Sequence, residues 1–149
     1  MWEHRIVAST VDLMSAIGSA LQGQERLAAA FVFGSAARGE AAGLSDVDVA
    51  LVVAASTGPL ERSVLVRDVG LRLGRALPGR TFDVHALDEL PTAIAGRVVT
   101  EGKLVFELDP VARVRAVVGA RMAYHDFAWM ERATLDEGLD GLRRRLADG

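Results

Sequence analysis

FVFGSAARGEAAGLSDVDVAL, residues 31–51, is the stretch on which the reading of this chain turns. An apolar run ends at the corner Gly34-Ser35, a polar segment follows, and Asp46 and Asp48 open a second apolar run. Side chains alternate faces along a strand, so these two aspartates project from the same face. Their backbone positions lie roughly 6–7 Å apart. Left alone, the two carboxylates repel each other and are costly to bury. A cation between them offsets that cost, and a donor set made only of oxygens favours a hard ion such as Mg2+.

The corner adds a second kind of chemistry. Gly34 lets the backbone come close to a ligand. The segment is expected to enter a short helix, whose free N–H groups and positive dipole end seat a phosphate. Ser35 adds a hydroxyl donor and Arg38 a positive charge. The spacing of Gly34 and Gly39 also matches a Walker A loop. A P-loop needs Lys and then Ser or Thr next, and the chain has Glu40-Ala41, which excludes a P-loop NTPase.

A third carboxylate stands in TFDVHAL, residues 81–87. Asp83 lies between Phe82 and Val84 and so faces away from both. His85 shares its face and reads as a half-buried strand residue. The corner and Asp46-Asp48 meet one ligand if the first two strands are antiparallel neighbours. Asp83 joins them if the third strand runs parallel to the second. Three carboxylates around one or two Mg2+ ions suit phosphoryl or nucleotidyl transfer.

The rest of the chain supplies the frame. Val11, Met14, Ile17 and Leu21 recur at helical spacing and predict a helix from Ser9 to about Gln22, with Ser9 and Asp12 as a capping box. Strands are expected over Leu27–Phe33, Asp46–Val53, Thr81–Leu87 and Lys103–Glu107. A helix is expected from Pro59 to about Ala76, since proline suits a first helical turn, and another from near Pro91 to just before Gly102. Residues 110–147 read as helical, with a break near Thr134–Gly138. Within them Val111, Val114, Val117 and Val118 form an apolar stripe of the kind that usually faces a core. Arg143–Arg145 read as a solvated helix end favoured by the dipole. The order describes an α/β (α+β) fold with a small mixed sheet packed by helices and a helical C-terminus. The 149 residues are expected to form one domain, with 110–149 as a helical extension.

Composition narrows the function classes. There is no cysteine, which excludes disulfides, thiolate metal sites and cysteine nucleophiles. The formal net charge of −3 argues against a broad nucleic-acid footprint. The N-terminus lacks the form of a signal peptide and no run is long enough to span a bilayer, so a cytoplasmic protein with no membrane partner is expected.

Gly34-Ser35, then Asp46 and Asp48, then Asp83 together resemble the signature of the nucleotidyltransferase superfamily. FGSAARGEAAGLSDVDVAL looks most like the minimal nucleotidyltransferase (MNT) antitoxins, which are encoded beside HEPN ribonuclease toxins. LPTAIAGRVVTEGKLVFE resembles their helix-turn-strand ending, and Tyr124–Phe127 is similar to an aromatic-Asp-Phe stretch in their last helices. The resemblance implies a polymerase-β-like fold and transfer of AMP from ATP to a tyrosine of a HEPN-type toxin, within a hetero-oligomer. It implies that Asp46 and Asp48 bind Mg2+, and that Asp83 completes the metal site and helps deprotonate the tyrosine. Gly34 and Ser35 would hold the β- and γ-phosphates with help from Arg38. Ala36 replaces a larger residue, with consequences for packing alone. Two other readings compete: an aminoglycoside-type small-molecule nucleotidyltransferase, for which the helical remainder after Asp83 leaves little room, and an antitoxin that acts by binding alone.

Overall fold

Strand β1 (Leu27–Phe33) is the apolar run LAAAFVF, and all but its last residue are buried. Such continuous burial requires cover on both faces and a place inside a sheet. In this computed structural model, which describes residues 10–39 and 46–147, β1 pairs antiparallel with β2 (Val47–Val53) on one side. On the other it pairs antiparallel with β4 (Lys103–Glu107). Strand β3 (Phe82–Ala86) lies parallel to β2, and the sheet order is β3-β2-β1-β4. The antiparallel pairing expected to bring the corner beside Asp48 and the parallel pairing expected to bring Asp83 beside it are both present.

Alternation along β2 sorts its neighbours. Val47, Val49 and Leu51 pack with α1 (Thr10–Ala20) and α2 (Pro59–Ala76), through Leu13, Ile17, Leu65, Val69 and Leu73. Ala50 and Val52 pack on the other face with Ala95, Val98 and Val99 of α3 (Thr92–Glu101). Each fully buried Leu or Val contributes about 1.5–3 kcal/mol. Asp46 and Asp48 have the parity of Ala50, so they belong to the α3 face. A short 3-10 turn, Leu87–Glu89, follows β3, and Arg62 of α2 makes an ion pair with its Asp88. Ser9, and with it the capping box expected with Asp12, lies outside the described residues.

The last helix, α4 (Pro110–Ala147), departs from expectation twice. It runs for 38 residues without the break expected near Thr134–Gly138. Thr134 Oγ1 donates to the Met130 carbonyl one turn back at 2.9 Å, which keeps the hydroxyl satisfied inside the helix. Gly138 costs about 1 kcal/mol relative to alanine, too little to stop a helix with no internal proline. Asp109 Oδ1 accepts from Ala112 N at 3.1 Å and caps the start. The valine stripe is not core. Only Val117 packs against the sheet side, with Ala112, Ala116 and Ala120, while Val111, Val114 and Val118 are 60%, 48% and 48% exposed. The small alanine face lets α4 approach closely, and the larger valines are turned outward.

Beyond Tyr124, which packs on Gly96 of α3, no α4 side chain belongs to either buried cluster. Removing residues 134–149 is therefore expected to reduce helical circular dichroism while leaving the thermal midpoint unchanged. A clear fall in the midpoint would show that the distal helix supports the fold.

Candidate active site

Phe33 ends β1 opposite Asp48 of β2, and Asp48 in turn pairs in register with Asp83 of β3. Three neighbouring strands thus bring the glycine corner and two carboxylates to one end of the sheet. Gly34 follows with φ +71°, a left-handed conformation that favours glycine. A Cβ built on it would lie 2.6 Å from Asp48 Oδ2, so the corner's backbone sits directly against the carboxylate. Gly34 is required twice, by its own conformation and by this approach.

The segment after the corner is not the expected short helix. Residues 34–39 form consecutive turns, with Arg38 N bonded to the Gly34 carbonyl at 3.4 Å and Gly39 N to the Ala36 carbonyl at 3.3 Å. Gly39 also has positive φ, +72°, and two left-handed glycines bracket the segment. Ala36 and Ala37 are buried in the α1–α2 core and anchor the turn, while Ser35 stays half-buried at the corner. Their small size allows this burial.

Each carboxylate has a distinct environment. Asp46 is exposed, one residue before β2, and accepts a hydrogen bond from Thr81 Oγ1. Asp83 is exposed and its Oδ1 lies 3.0 Å from Nε2 of His85, two residues on and on the same face. Asp48 is half-buried between them. Burial first, and then the negative charges of Asp83 and Asp46, push its carboxyl above the ordinary carboxylate range, with His85 opposing. Among the described residues no three acidic or imidazole groups are gathered tightly enough to hold one ion. Asp46 is turned to Thr81 and Asp83 to His85, the divergence expected of like charges. Their chemistry nonetheless fits a hard divalent cation: oxygen donors on one face, and a central carboxylate whose negative charge is held there at a cost.

The cleft over this face has a volume of about 420 Å3 and is lined by Phe33, Gly34, Ser35, Arg38, Asp48, Ile94, Arg97 and Glu101. It unites Gly34, Ser35, Arg38 and Asp48; Asp46 and Asp83 flank Asp48 without lining it. Ile94, Arg97 and Glu101 of α3 are contributions that sequence reading did not single out. Their signal was present, since positions 94, 97 and 101 recur at one-turn spacing on one helix face. A second cavity, of about 480 Å3, is mostly apolar, runs between β2 and the alanine face of α4, and contains neither the corner nor the aspartates.

Residues 15–111 match the family described as Polymerase beta, Nucleotidyltransferase. The chain belongs to this nucleotidyltransferase family. Its fold is also that of solved toxin–antitoxin structures. A crystal structure of a toxin–antitoxin with AMP-PNP matches at 22% identity and a TM-score of 0.63, covering 85% of this chain and 98% of the other. A tri-AMPylated Shewanella oneidensis HEPN toxin in complex with MNT antitoxin matches at 20% identity and a TM-score of 0.60, covering 87% and 98%. A crystal structure of the toxin–antitoxin MntA-HepT matches at 20% identity and a TM-score of 0.58, covering 85% and 97%. Comparison with curated proteins gave no match. Among the described residues no helix is long and apolar enough to cross a membrane.

Two outcomes follow from this geometry. Gly34→Ala should destabilise the protein by at least about 1–2 kcal/mol, the cost of a left-handed alanine, measured by chemical denaturation; unchanged stability would contradict the approach to Asp48. Asp48 has a raised folded-state pKa, so the folded state binds the proton more tightly than the unfolded chain. Its contribution to stability therefore falls as pH rises through that window. In metal-free buffer Asp48→Asn should melt higher than the parent at about pH 7, with the advantage fading towards about pH 4. Thermal melts across that range check it, and an advantage absent at neutral pH would contradict the cause assigned to the shift.

Proposed function

We propose that this chain is a Mg2+-dependent nucleotidyltransferase antitoxin that transfers AMP from ATP to a tyrosine hydroxyl of a HEPN-type toxin. The observation that carries this reading is the direct approach of the Gly34 backbone to the Asp48 carboxylate. It sets the glycine corner directly against a half-buried carboxylate at the end of one sheet, the pairing that a phosphate seat beside a cation ligand requires. Family membership supports nucleotidyl transfer as the reaction type. The matching AMP-PNP structure supports ATP as the donor, and the matching MNT antitoxin with its tri-AMPylated HEPN toxin supports the acceptor class.

In this reading Gly34 and Ser35 hold the β- and γ-phosphates through backbone N–H and hydroxyl donors, with Arg38 adding charge at the rim. Asp46, Asp48 and Asp83 would hold magnesium once Asp46 turns from Thr81 and Asp83 from His85 toward Asp48. Magnesium bound there would supply positive charge between carboxylates and triphosphate and would make the attacking hydroxyl more acidic. The tyrosine oxygen attacks the α-phosphorus, the bond to the bridging oxygen of the β-phosphate breaks, and pyrophosphate leaves. The hydroxyl proton passes to Asp83, whose exposed side chain beside His85 can return it to solvent. The acceptor remains on the open side of the cleft, as a macromolecular substrate requires.

Neutralisation by binding alone is a second reading. It is favoured by the outward apolar face of α4, where Val111, Val114, Val118 and Met122 are all about half exposed or more. The two readings separate in one assay with labelled ATP, Mg2+ and a HEPN-type toxin. The parent protein should label the toxin and release pyrophosphate. Asp48→Asn should lower that transfer by at least about a hundredfold, the scale for removing a charge-stabilising group from a reaction centre. Full transfer by the variant would overturn the metal assignment. Neutralisation by the parent with no labelling would favour occlusion.

A further inference from the structure

Helix α3 closes the side of the cleft that faces the glycine corner, and its rotation is fixed by two contacts. Ala95, Val98 and Val99 are buried against the sheet. Gly96 lies under the ring of Tyr124, where an added Cβ would come within 2.4 Å of the ring. With those faces occupied, positions 94, 97 and 101 are left on the flank that looks into the cleft. Arg97 is exposed there, and among the described residues no hydrogen bond or ion pair engages its guanidinium. Glu101, one turn later at a spacing that commonly supports an ion pair, does not make one with it.

An uncommitted guanidinium next to a phosphate seat has a specific use. Its planar fork matches two phosphate oxygens at once, and the resulting bonds are charge-assisted. A triphosphate lodged on the Gly34-Ser35 turn brings its negative charge into the space that Arg97 borders. Arg97 and the Gly34-Ser35 turn line one cleft with Asp48, so both can reach the same phosphates. Ile94, one turn before Arg97 and 41% exposed, supplies an apolar surface beside Phe33 at the same cleft.

We infer that Arg97 is a substrate-binding residue that contacts the β- and γ-phosphates of the bound nucleoside triphosphate from the α3 wall and holds the departing pyrophosphate. The inference rests on the proposed reading of the cleft as a nucleotide site. As the α-phosphorus–oxygen bond breaks, charge moves onto the pyrophosphate, and a fixed cation there favours departure.

The test is calorimetric binding of MgATP and MgAMP to the parent protein, Arg97→Gln and Arg97→Lys. Arg97 is exposed, so circular dichroism melts of the variants should overlay the parent. Arg97→Gln should weaken MgATP by about tenfold to a hundredfold while MgAMP, which lacks the outer phosphates, changes little. Arg97→Lys should recover part of the loss, because it keeps the charge but not the fork. Equal MgATP affinity for the parent and Arg97→Gln overturns the role of Arg97 and leaves the nucleotide site standing. An equal loss for MgATP and MgAMP also overturns it. Failure of the parent itself to bind MgATP removes both the inference and the reading beneath it.

Discussion

The carboxylate of Asp48 is held half-buried beside the Gly34 backbone and in register with Asp83, and the surrounding architecture makes sense as the means of keeping it there. Burial and repulsion from Asp83 and Asp46 make a negative charge in that position unfavourable and raise the carboxyl's pKa. The fold tolerates it because β2 is gripped on both sides, antiparallel by β1 and parallel by β3. Val47, Val49 and Leu51, on the opposite face of the same strand, are fully or almost fully buried. Their burial anchors the strand against the electrostatic cost. In the proposed reading that cost is met by a counter-charge, a hard cation on the carboxylate oxygens with phosphates against the glycine turn.

The mixed sheet is what converts linear spacing into a site. Thirty-four residues separate Asp48 from Asp83, yet the parallel β2–β3 pairing places them as direct register partners. The crossover through α2 achieves this, and Arg62 links that helix to the turn just after β3. On the opposite side, β4 returns beside β1 and so brings the C-terminal end of α3 to the corner. Gly102 marks the closeness of that return, since a Cβ there would lie 2.3 Å from the Val98 carbonyl oxygen and 3.2 Å from that of Val32.

Much of this was legible in the sequence, for local reasons. The bounds of β1, α2 and β4 are bracketed by punctuating residues: Gly34 after β1, Pro59 and Pro78 around α2, and Gly102 and Pro110 around β4. The shared face of Asp46 and Asp48 follows from strand alternation, and the required pairings follow from asking the carboxylates to meet. What was not legible depends on non-local choices. The turn after Gly34 is closed by a second left-handed glycine at Gly39, a conformation its identity permits but does not dictate. Periodicity identified a valine stripe on α4 but not which face would dock. The alanine face won because it allows closer packing. Arg97 was legible only as one member of a helix face at 94, 97 and 101, since the use of that face depends on where α3 lies.

The proposed function requires the corner and the aspartates to form one nucleotide–metal site. A crystal structure with Mn2+ and a non-hydrolysable ATP analogue tests it most directly. Anomalous manganese density should lie at Asp46 and Asp48, with the outer phosphates against Gly34 and Ser35. Manganese absent from those carboxylates, or a nucleotide seated in the apolar cavity beneath α4, would contradict it.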